Sequence, residues 1–155
     1  SVNRKKRSLI IMFLAFAVMG LLLPSSCTIE ASDNGDFDGF WHLERVDTLT
    51  TGGSCDLSDM QIFWGVNHKL LRLQGGGNGY YLRFRQTSDS LITSSPYFDG
   101  WHEDVVGGGD IPVTDVGVLY QYGIRNLEEH FVKETLSGSH MVLRSPELRL
   151  YFRKF

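Results

Sequence analysis

The residue types best suited to chemistry are concentrated in one stretch, "FDGWHEDVVGGGD" at residues 98–110. Imidazole and carboxylate groups on a flexible loop suit a divalent cation. No second histidine stands at ligand spacing, however, and exposed loops of this composition are usually only solvated. We therefore predict no metal and no cofactor, and an enzymatic role would require His102 to meet carboxylates from other loops. The groups concerned are Asp99, His102, Glu103, Asp104 and Asp110.

The sequence lacks the motifs of the common enzyme classes. There is no G-x-S-x-G nucleophile turn. The adjacent carboxylates Glu128–Glu129 and Glu103–Asp104 would point to opposite faces of a strand, so neither pair is placed to flank a glycosidic bond. The glycine-rich "QGGGNGYY" at 74–81 lacks the Gly-Lys-Ser/Thr ending of a phosphate loop and precedes a strand, which predicts a hairpin turn. We predict no catalytic residues and a protein that is not an enzyme.

The N-terminal segment has the order of a secretory signal peptide. Four basic residues at 4–7 precede an apolar run from Leu9 to Leu23, and small residues and Cys27 follow. As a helix the run would be about 22 Å long, which is short of the roughly 30 Å hydrocarbon core of a membrane. A basic head, a short apolar middle and small residues describe a peptide that is removed. The segment resembles the signal of bacterial lipoprotein precursors, with Pro24 where that family usually has leucine.

The resemblance to lipoproteins implies cleavage before Cys27 and acylation of its thiol and amine. Residues 1–26 are then the signal peptide, 27–36 a flexible acidic tether and 37–155 the domain. Lipid would anchor the protein in the cell envelope, at the outer membrane, on its periplasmic face or at the cell surface. Cys55 would remain as an unpaired loop thiol in "TTGGSCDLSD". The alternatives to the anchor are an ordinary secreted protein with an incidental cysteine and an uncleaved anchor helix. A Cys27–Cys55 disulfide, which suits an oxidising compartment, is the alternative to acylation.

The charge of the chain argues against one class of partner. The 15 basic and 18 acidic residues give a net charge of −3. Loss of the four basic residues at 4–7 would leave 11 basic against 18 acidic residues, a net charge of −7. An acidic chain argues against binding nucleic acid or the anionic lipid headgroups of a membrane. Glu30, Asp33 and Asp36 resemble the acidic stretch of surface-exported lipoproteins of the Bacteroidetes, and a plain solvated linker would have the same composition.

The segments after residue 36 are short and alternating, with glycine or polar turns between them, which predicts an all-β barrel or sandwich. In "GFWHLERVDTL" Trp41 and Leu43 share one side, and Val46 rejoins it after an irregularity. The segments "YYLRFRQTS", "SLITS", "EHFVKETLS", "SHMVLRS" and "ELRLYFRKF" alternate in the same way. The rhythm breaks at "TDVGVLYQYGI", where the spacing of apolar residues predicts one short helix before Gly123. The spaced residues are Val116, Leu119 and Tyr120.

Three stretches resemble the lipocalin-like domain family of Bacteroidetes lipoproteins. They are "DGFWHLERVDT" at 38–48, "YQYGI" at 120–124 and "EEHFVKETLSGSHMVLRSPELRLYFRKF" at 128–155. The resemblance implies a small antiparallel lipocalin-like up-and-down β-barrel of about eight strands, and it implies no catalytic residues. Trp41 matches the tryptophan of the family's first strand, whose implied role is structural, as the plug of the barrel base.

A barrel of this size is just wide enough for its own side chains or for one small ligand. Two functions therefore stay open. One is binding of a small apolar or amphipathic ligand; the other is a non-enzymatic protein-interaction module of a surface or outer-membrane complex, with a filled barrel and an unknown protein partner. An empty apolar cavity would separate them. The candidate interior residues, core first and pocket second, are Trp41, Trp64, Tyr80, Leu82, Phe84, Phe131, Met141 and Leu143.

Two short motifs suggest a modification. "DTL" at 47–49 and "DSL" at 89–91 match the Asp-Ser/Thr-apolar pattern of O-glycosylation in secreted proteins of the same bacterial group. Three-residue patterns also arise by chance. The motifs make Thr48 and Ser90 candidate glycosylation sites.

Overall fold

The computed structural model describes residues 32–99 and 111–155. These residues form ten strands and two short 3-10 helices, and the first helix is Gly35–Phe37. The second, Val116–Tyr122, is called the mouth helix below. The strands are β1 (Gly39–Thr48), β2 (Gly53–Asp56), β3 (Phe63–Asn67), β4 (Leu70–Gly75), β5 (Asn78–Gln86), β6 (Ser90–Phe98), β7 (Ile111–Pro112), β8 (Glu129–Leu136), β9 (His140–Arg144) and β10 (Leu148–Lys154).

Eight of the strands close into an antiparallel barrel. Around it the order is β1, β3, β4, β5, β6, β8, β9 and β10, and β10 pairs with β1 to complete the circle. The two remaining strands lie beside this circle: β2 pairs with the last residues of β1, and β7 pairs with the end of β6. We call the end where β1 begins the base and the end where β1 finishes the mouth. The predicted small up-and-down barrel of about eight strands is confirmed.

The irregularity predicted in the first strand is a β-bulge. The register of β1 against β10 shifts between Leu43 and Arg45, which leaves Glu44 as the extra residue. An extra residue resets which side chains face inward. Trp41 and Leu43 are therefore fully buried, and Val46 packs against the same core two strand positions after the bulge. Hydrophobic alternation alone located this feature correctly.

Alternation also predicted β5 and β10. In β5, Tyr80 and Leu82 are buried and Phe84 packs against the core, whereas the residues between them face outward. The hairpin that joins β4 to β5 requires glycine at residue 75, since a Cβ there would lie 2.6 Å from the carbonyl oxygen of Gln61. In β10 three buried side chains alternate with exposed or half-buried ones; the buried set is Leu148, Leu150 and Phe152.

The short helix before Gly123 is confirmed, but its type changes which residues face the core. A 3-10 helix has three residues per turn, so residues three apart share a face. Leu119 and Tyr122 are fully buried and Val116 packs against the core, whereas Tyr120 is 46 % exposed. The helix ends at Gly123, whose φ of 83° is left-handed and whose missing Cβ makes room for Leu150.

Two parts of the fold differ from the prediction. "TTGGSCDLSD" was expected to be a loop around Cys55, and this expectation is wrong: Gly53–Asp56 is strand β2. All four β2 residues are exposed, so no burial pattern in the sequence marks it. Strand β6 continues past the predicted "SLITS" to Phe98 through a second bulge, where Ser95 and Pro96 oppose Leu82 and Ser95 has a φ of 52°. Within the described part of the chain, no helix is long and apolar enough to cross a membrane.

On the outer wall, arginine and acidic side chains link neighbouring strands. Glu134 of β8 accepts hydrogen bonds from the Nε atoms of Arg144 at 2.7 Å and Arg149 at 2.8 Å. The hydrogen bond from Arg149, followed by that from Arg144, lowers the pKa of Glu134. Pairs of this kind on a solvated surface add little to stability.

Candidate functional site

The barrel interior is filled by aromatic rings. Trp64 projects from β3, which lies four places around the barrel from β8, and its ring packs edge-on against Phe131 of β8 with centroids 5.8 Å apart. Its ring also lies 4.9 Å from that of Phe152. The indole N–H donates to the carbonyl oxygen of Tyr122 at 3.1 Å. One tryptophan therefore spans the interior and ties it to the mouth helix.

Aromatic residues also close the base. Phe37, from the first 3-10 helix, is fully buried and packs edge-on against Phe84 at 5.2 Å. The indole N–H of Trp41 donates to the Phe37 carbonyl at 2.8 Å. The Lys154 ammonium lies 4.7 Å from the centre of the Trp41 ring. Trp41 thus occupies the position that the family resemblance implies for it, at the base and in a structural contact.

The structure brings the predicted interior residues together as part of the hydrophobic core. Seven of them are at most 6 % exposed, and Phe84 is half-buried against the same cluster. Among the described residues, the aromatic rings of this set contact one another and pack as core. In order of increasing exposure, the seven buried residues are Trp41, Trp64, Met141 and Leu143 at 0 %, Leu82 at 1 %, Phe131 at 2 % and Tyr80 at 6 %.

Tyr122 closes the interior from the mouth side. Its side chain is fully buried, its ring lies 5.9 Å from that of Tyr80, and its hydroxyl donates to the Gly75 carbonyl at 2.8 Å. Burial, together with the neighbouring Tyr80, raises the pKa of Tyr122 to about 12. The hydroxyl is a neutral hydrogen-bond donor that joins the mouth helix to the β4–β5 hairpin.

Residues of the mouth helix and of β1 also border a cavity of about 480 Å³, which we call the mouth groove. This size is within the range of small-molecule sites, roughly 300–1,000 Å³. Its walls come from β1, β2, the loop that leads to β3, the mouth helix and the residues just after that helix. The lining residues are Val46, Thr48, Gly53, Ser54, Cys55, Leu57, Met60, Ile62, Tyr120, Gln121 and Arg125.

One wall is the two-stranded ribbon of β1 and β2. Cys55 lies directly opposite Val46, and Gly53 opposite Thr48, so these residues share a face of the ribbon. Since Val46 packs against the core, that face is the inner one. The ribbon places Cys55 against the groove. Among residues 32–99 and 111–155 Cys55 has no disulfide partner, and Cys27 lies outside the described residues.

The floor of the groove is held in place by β1. The Leu43 N–H donates to the Ile62 carbonyl at 2.9 Å, and the Leu57 N–H donates to the Glu44 carbonyl at 2.7 Å. His42, which is 6 % exposed, donates through Nε2 to the Met60 carbonyl at 2.6 Å. These bonds fix a loop whose apolar side chains line the groove although Met60 itself is 53 % exposed.

Another part of the groove lining is polar and cationic. The period of the mouth helix turns Tyr120 away from the core, and the guanidinium of Arg125 lies 4.4 Å from the centre of its ring. The backbone N–H of Arg125 donates to Glu129 Oε2 at 2.9 Å, which fixes the turn after the helix. Stacking a guanidinium on a tyrosine face orients the cation without neutralising it. The groove thus combines an apolar floor with one positively charged wall.

The remaining predicted sites are placed or left open as follows. Thr48 is half-buried and lines the mouth groove, whereas Ser90 is half-buried at the start of β6, with its hydroxyl 3.3 Å from Asp89 Oδ1. Glycosylation of either remains a prediction. Cys27, His102, Glu103, Asp104 and Asp110 lie outside the described residues, and no group of three or more metal-ligating side chains exists among the described ones.

The mouth groove was not predicted from the sequence. Its lining comes from four separate segments, and two of them, β2 and the loop at 57–62, carry no alternation. The segment "YQYGIR" could have indicated the groove, because it places an aromatic residue and an arginine on either side of a helix end.

Comparison with known proteins identifies the fold. A family model described as "Lipocalin-like domain" matches residues 21–155. A lipocalin-like protein from Bacteroides uniformis superposes with a TM-score of 0.57 at 20 % identity, covering 78 % of this chain and 100 % of that one. An uncharacterised protein from Bacteroides eggerthii gives 0.53 at 18 % identity, with 76 % and 98 % covered. At these identities the two structures show the fold alone. No curated protein matches significantly.

Proposed function

Because the chain belongs to the lipocalin-like domain family, we propose that it binds a small amphipathic molecule, and that it does so in the mouth groove rather than inside the barrel. The observation that carries the proposal is the contrast between an interior filled by Trp64 and Phe131 and a cavity of about 480 Å³ just outside it. Val46, Leu57 and Ile62 offer the apolar surface, and Arg125 with Gln121 offers the polar one. The protein acts as a non-enzymatic binder.

The proposal includes an anchor in the cell envelope through acylated Cys27. The basic head, the short apolar run and the cysteine that follows small residues support it. Metabolic labelling with an alkyne-tagged fatty acid would test it, since label on the wild-type protein and none on a Cys27→Ser variant is the expected result. An unlabelled wild-type protein would remove the anchor from the proposal and leave the groove untouched.

The binding function is tested by native mass spectrometry of the protein purified gently from its own host. A defined extra mass that is removed by organic extraction would establish bound ligand and give its chemical class. Protein that carries no extra mass, and that gains none when incubated with single-chain amphiphiles, would contradict small-molecule binding.

One observation favours the second candidate, a protein-interaction module. Several large apolar side chains are exposed around the mouth, and exposed apolar surface is a feature of contact sites. If a partner covers the mouth, a photoreactive amino acid at Val118 should crosslink to protein in cells, whereas a free mouth should give no protein adduct. The exposed side chains are Leu49 at 37 %, Ile111 at 43 %, Val118 at 39 % and Leu127 at 41 %.

A further inference from the structure

The groove contains one cation, Arg125, whose side-chain Nε–H has no acceptor among the residues that the structure describes. Arg125 is half-buried, and its Nε atom is buried and has no acceptor among the described residues. A buried donor without an acceptor costs roughly 1–3 kcal/mol, so native proteins rarely leave one unless a ligand or water completes it. Arg125 therefore lines the groove with a donor for which the described residues supply no acceptor.

The carboxylate that accepts from the Arg125 backbone does not neutralise the Arg125 guanidinium. Glu129 is 2 % exposed, and its Oε2 accepts from the backbone N–H groups of Arg125 and Asn126, at 2.9 and 2.8 Å, and from the Asn126 amide at 3.1 Å. Three donors occupy that oxygen, and the described part of the chain places no carboxylate within ion-pairing distance of the Arg125 guanidinium. The guanidinium is instead oriented by the ring of Tyr120.

The groove offers a charged surface at Arg125 and an apolar surface nearby, which suit the two ends of an amphipathic ligand. Among the lining residues that the structure describes, Arg125 is the one cation, and no acidic residue lines the groove. The apolar surface of Leu57, Met60 and Ile62 lies in the same cavity. On a chain with more acidic than basic residues, this is a local site where an anion is favoured over a cation.

We propose that the ligand of the mouth groove carries an anionic head group, a carboxylate or phosphate, that pairs with Arg125 while its apolar part lies on the Leu57–Ile62 floor. A guanidinium binds such oxygens by charge-assisted hydrogen bonds, which supply both affinity and geometry. The inference rests on the proposed function, because it names the chemistry of that same site. Arg125 is thereby a specificity-determining residue.

The test compares three twelve-carbon probes of equal chain length: dodecanoate, dodecanol and dodecyltrimethylammonium. Their affinities for the full protein are measured by native mass spectrometry and calorimetry below the micelle concentration. We expect dodecanoate to bind about tenfold or more tightly than dodecanol, as a charge-assisted hydrogen bond predicts, and the cation to bind weakest. Arg125→Gln should abolish the preference, and Arg125→Lys should keep part of it.

Arg85→Gln is the matched control, because it removes the same charge from the outer face of β5 at the base. It should leave the preference unchanged. Equal affinities for all three probes, or a preference that survives Arg125→Gln, would overturn the anionic head group but leave the groove as a binding site. Failure of every probe to bind would overturn the proposed function and the inference with it. Thermal unfolding shows that each variant is folded; if Arg125→Gln is not, Arg125→Lys against wild type decides the outcome.

Discussion

The barrel interior and the mouth groove are both built from apolar and aromatic residues. In the interior these side chains pack against one another, whereas in the groove they border a cavity. In the interior, Trp64, Phe131 and Phe152 meet ring to ring, so apolar surface is used up in packing. In the groove, Met60 and Tyr120 are about half exposed and face a cavity. On the proposed function, the same fold keeps stability and binding in adjacent regions. Substitutions in one region should therefore spare the property of the other.

The largest effect should come from Trp64→Ala. Removing a fully buried tryptophan leaves a cavity where rings had met, and such changes destabilise proteins by about 3–5 kcal/mol. Urea denaturation would measure the loss. Trp64→Phe should cost less, because it keeps a ring and gives up mainly the hydrogen bond to the Tyr122 carbonyl. A loss below about 1 kcal/mol for the alanine variant would mean that the interior is not packed as described.

Tyr122→Phe probes the boundary between the regions. Loss of the hydroxyl that donates to the Gly75 carbonyl should cost about 1 kcal/mol at neutral pH. The folded protein holds the Tyr122 pKa at about 12, above the ordinary 10.0. The unfolded chain therefore loses this proton first as pH rises, and wild-type stability falls between pH 10.0 and about 12.

The phenylalanine variant lacks that titration. The stability difference between wild type and Tyr122→Phe should therefore shrink across the alkaline window and stay constant below it. Denaturation curves at pH 7, 9 and 11 would follow it, and a pH-independent difference would show that the hydroxyl is not shielded from water.

Substitutions in the groove should affect ligand binding more than stability. Tyr120→Ala should change the free energy of unfolding by less than about 1 kcal/mol, since the side chain is 46 % exposed, but it should weaken dodecanoate binding several-fold by removing apolar surface and the support of Arg125. Val118→Ala is the control: it lies on the same helix, is 39 % exposed and does not line the groove. Equal binding losses in both variants would place the binding surface elsewhere on the mouth.

The smallest effect is expected on the outer wall. Glu134→Gln breaks a paired but solvated carboxylate, and its cost should be at most about 1 kcal/mol, with no change in probe binding. Because the arginines lower the pKa of Glu134, its contribution is present above the ordinary carboxyl pKa and is lost as pH falls through the folded value. The difference from wild type should therefore disappear on acidification and fade at high salt.

The sequence predicted the parts of this molecule that bury side chains with a period of two. Alternation located β5, β10 and the bulge before Val46, because each inward residue must be apolar to fill the barrel. It failed where burial does not control the residue type. Strand β2 is wholly exposed, so its pairing with β1 leaves no alternation of buried and exposed residues in the sequence.

The same limit explains why the groove was missed. A binding surface needs apolar side chains that are not packed, and in sequence these resemble ordinary surface residues. The expectation that Tyr120 belongs with Val116 and Leu119 assumed a period between three and four, whereas the helix has a period of three and turns Tyr120 outward. The difference in helix period thus determines whether Tyr120 packs in the core or lines the groove.

The pairing of β1 with β10 joins strands from opposite ends of the domain, and the Phe155 N–H donates to the Phe40 carbonyl at 2.8 Å. This architecture has a kinetic consequence. Contacts between distant parts of a chain form slowly, because the closure entropy is lost before the contacts are gained. The barrel cannot close until β10 has been made, so a growing chain keeps the edges of β1 and β9 unpaired until then.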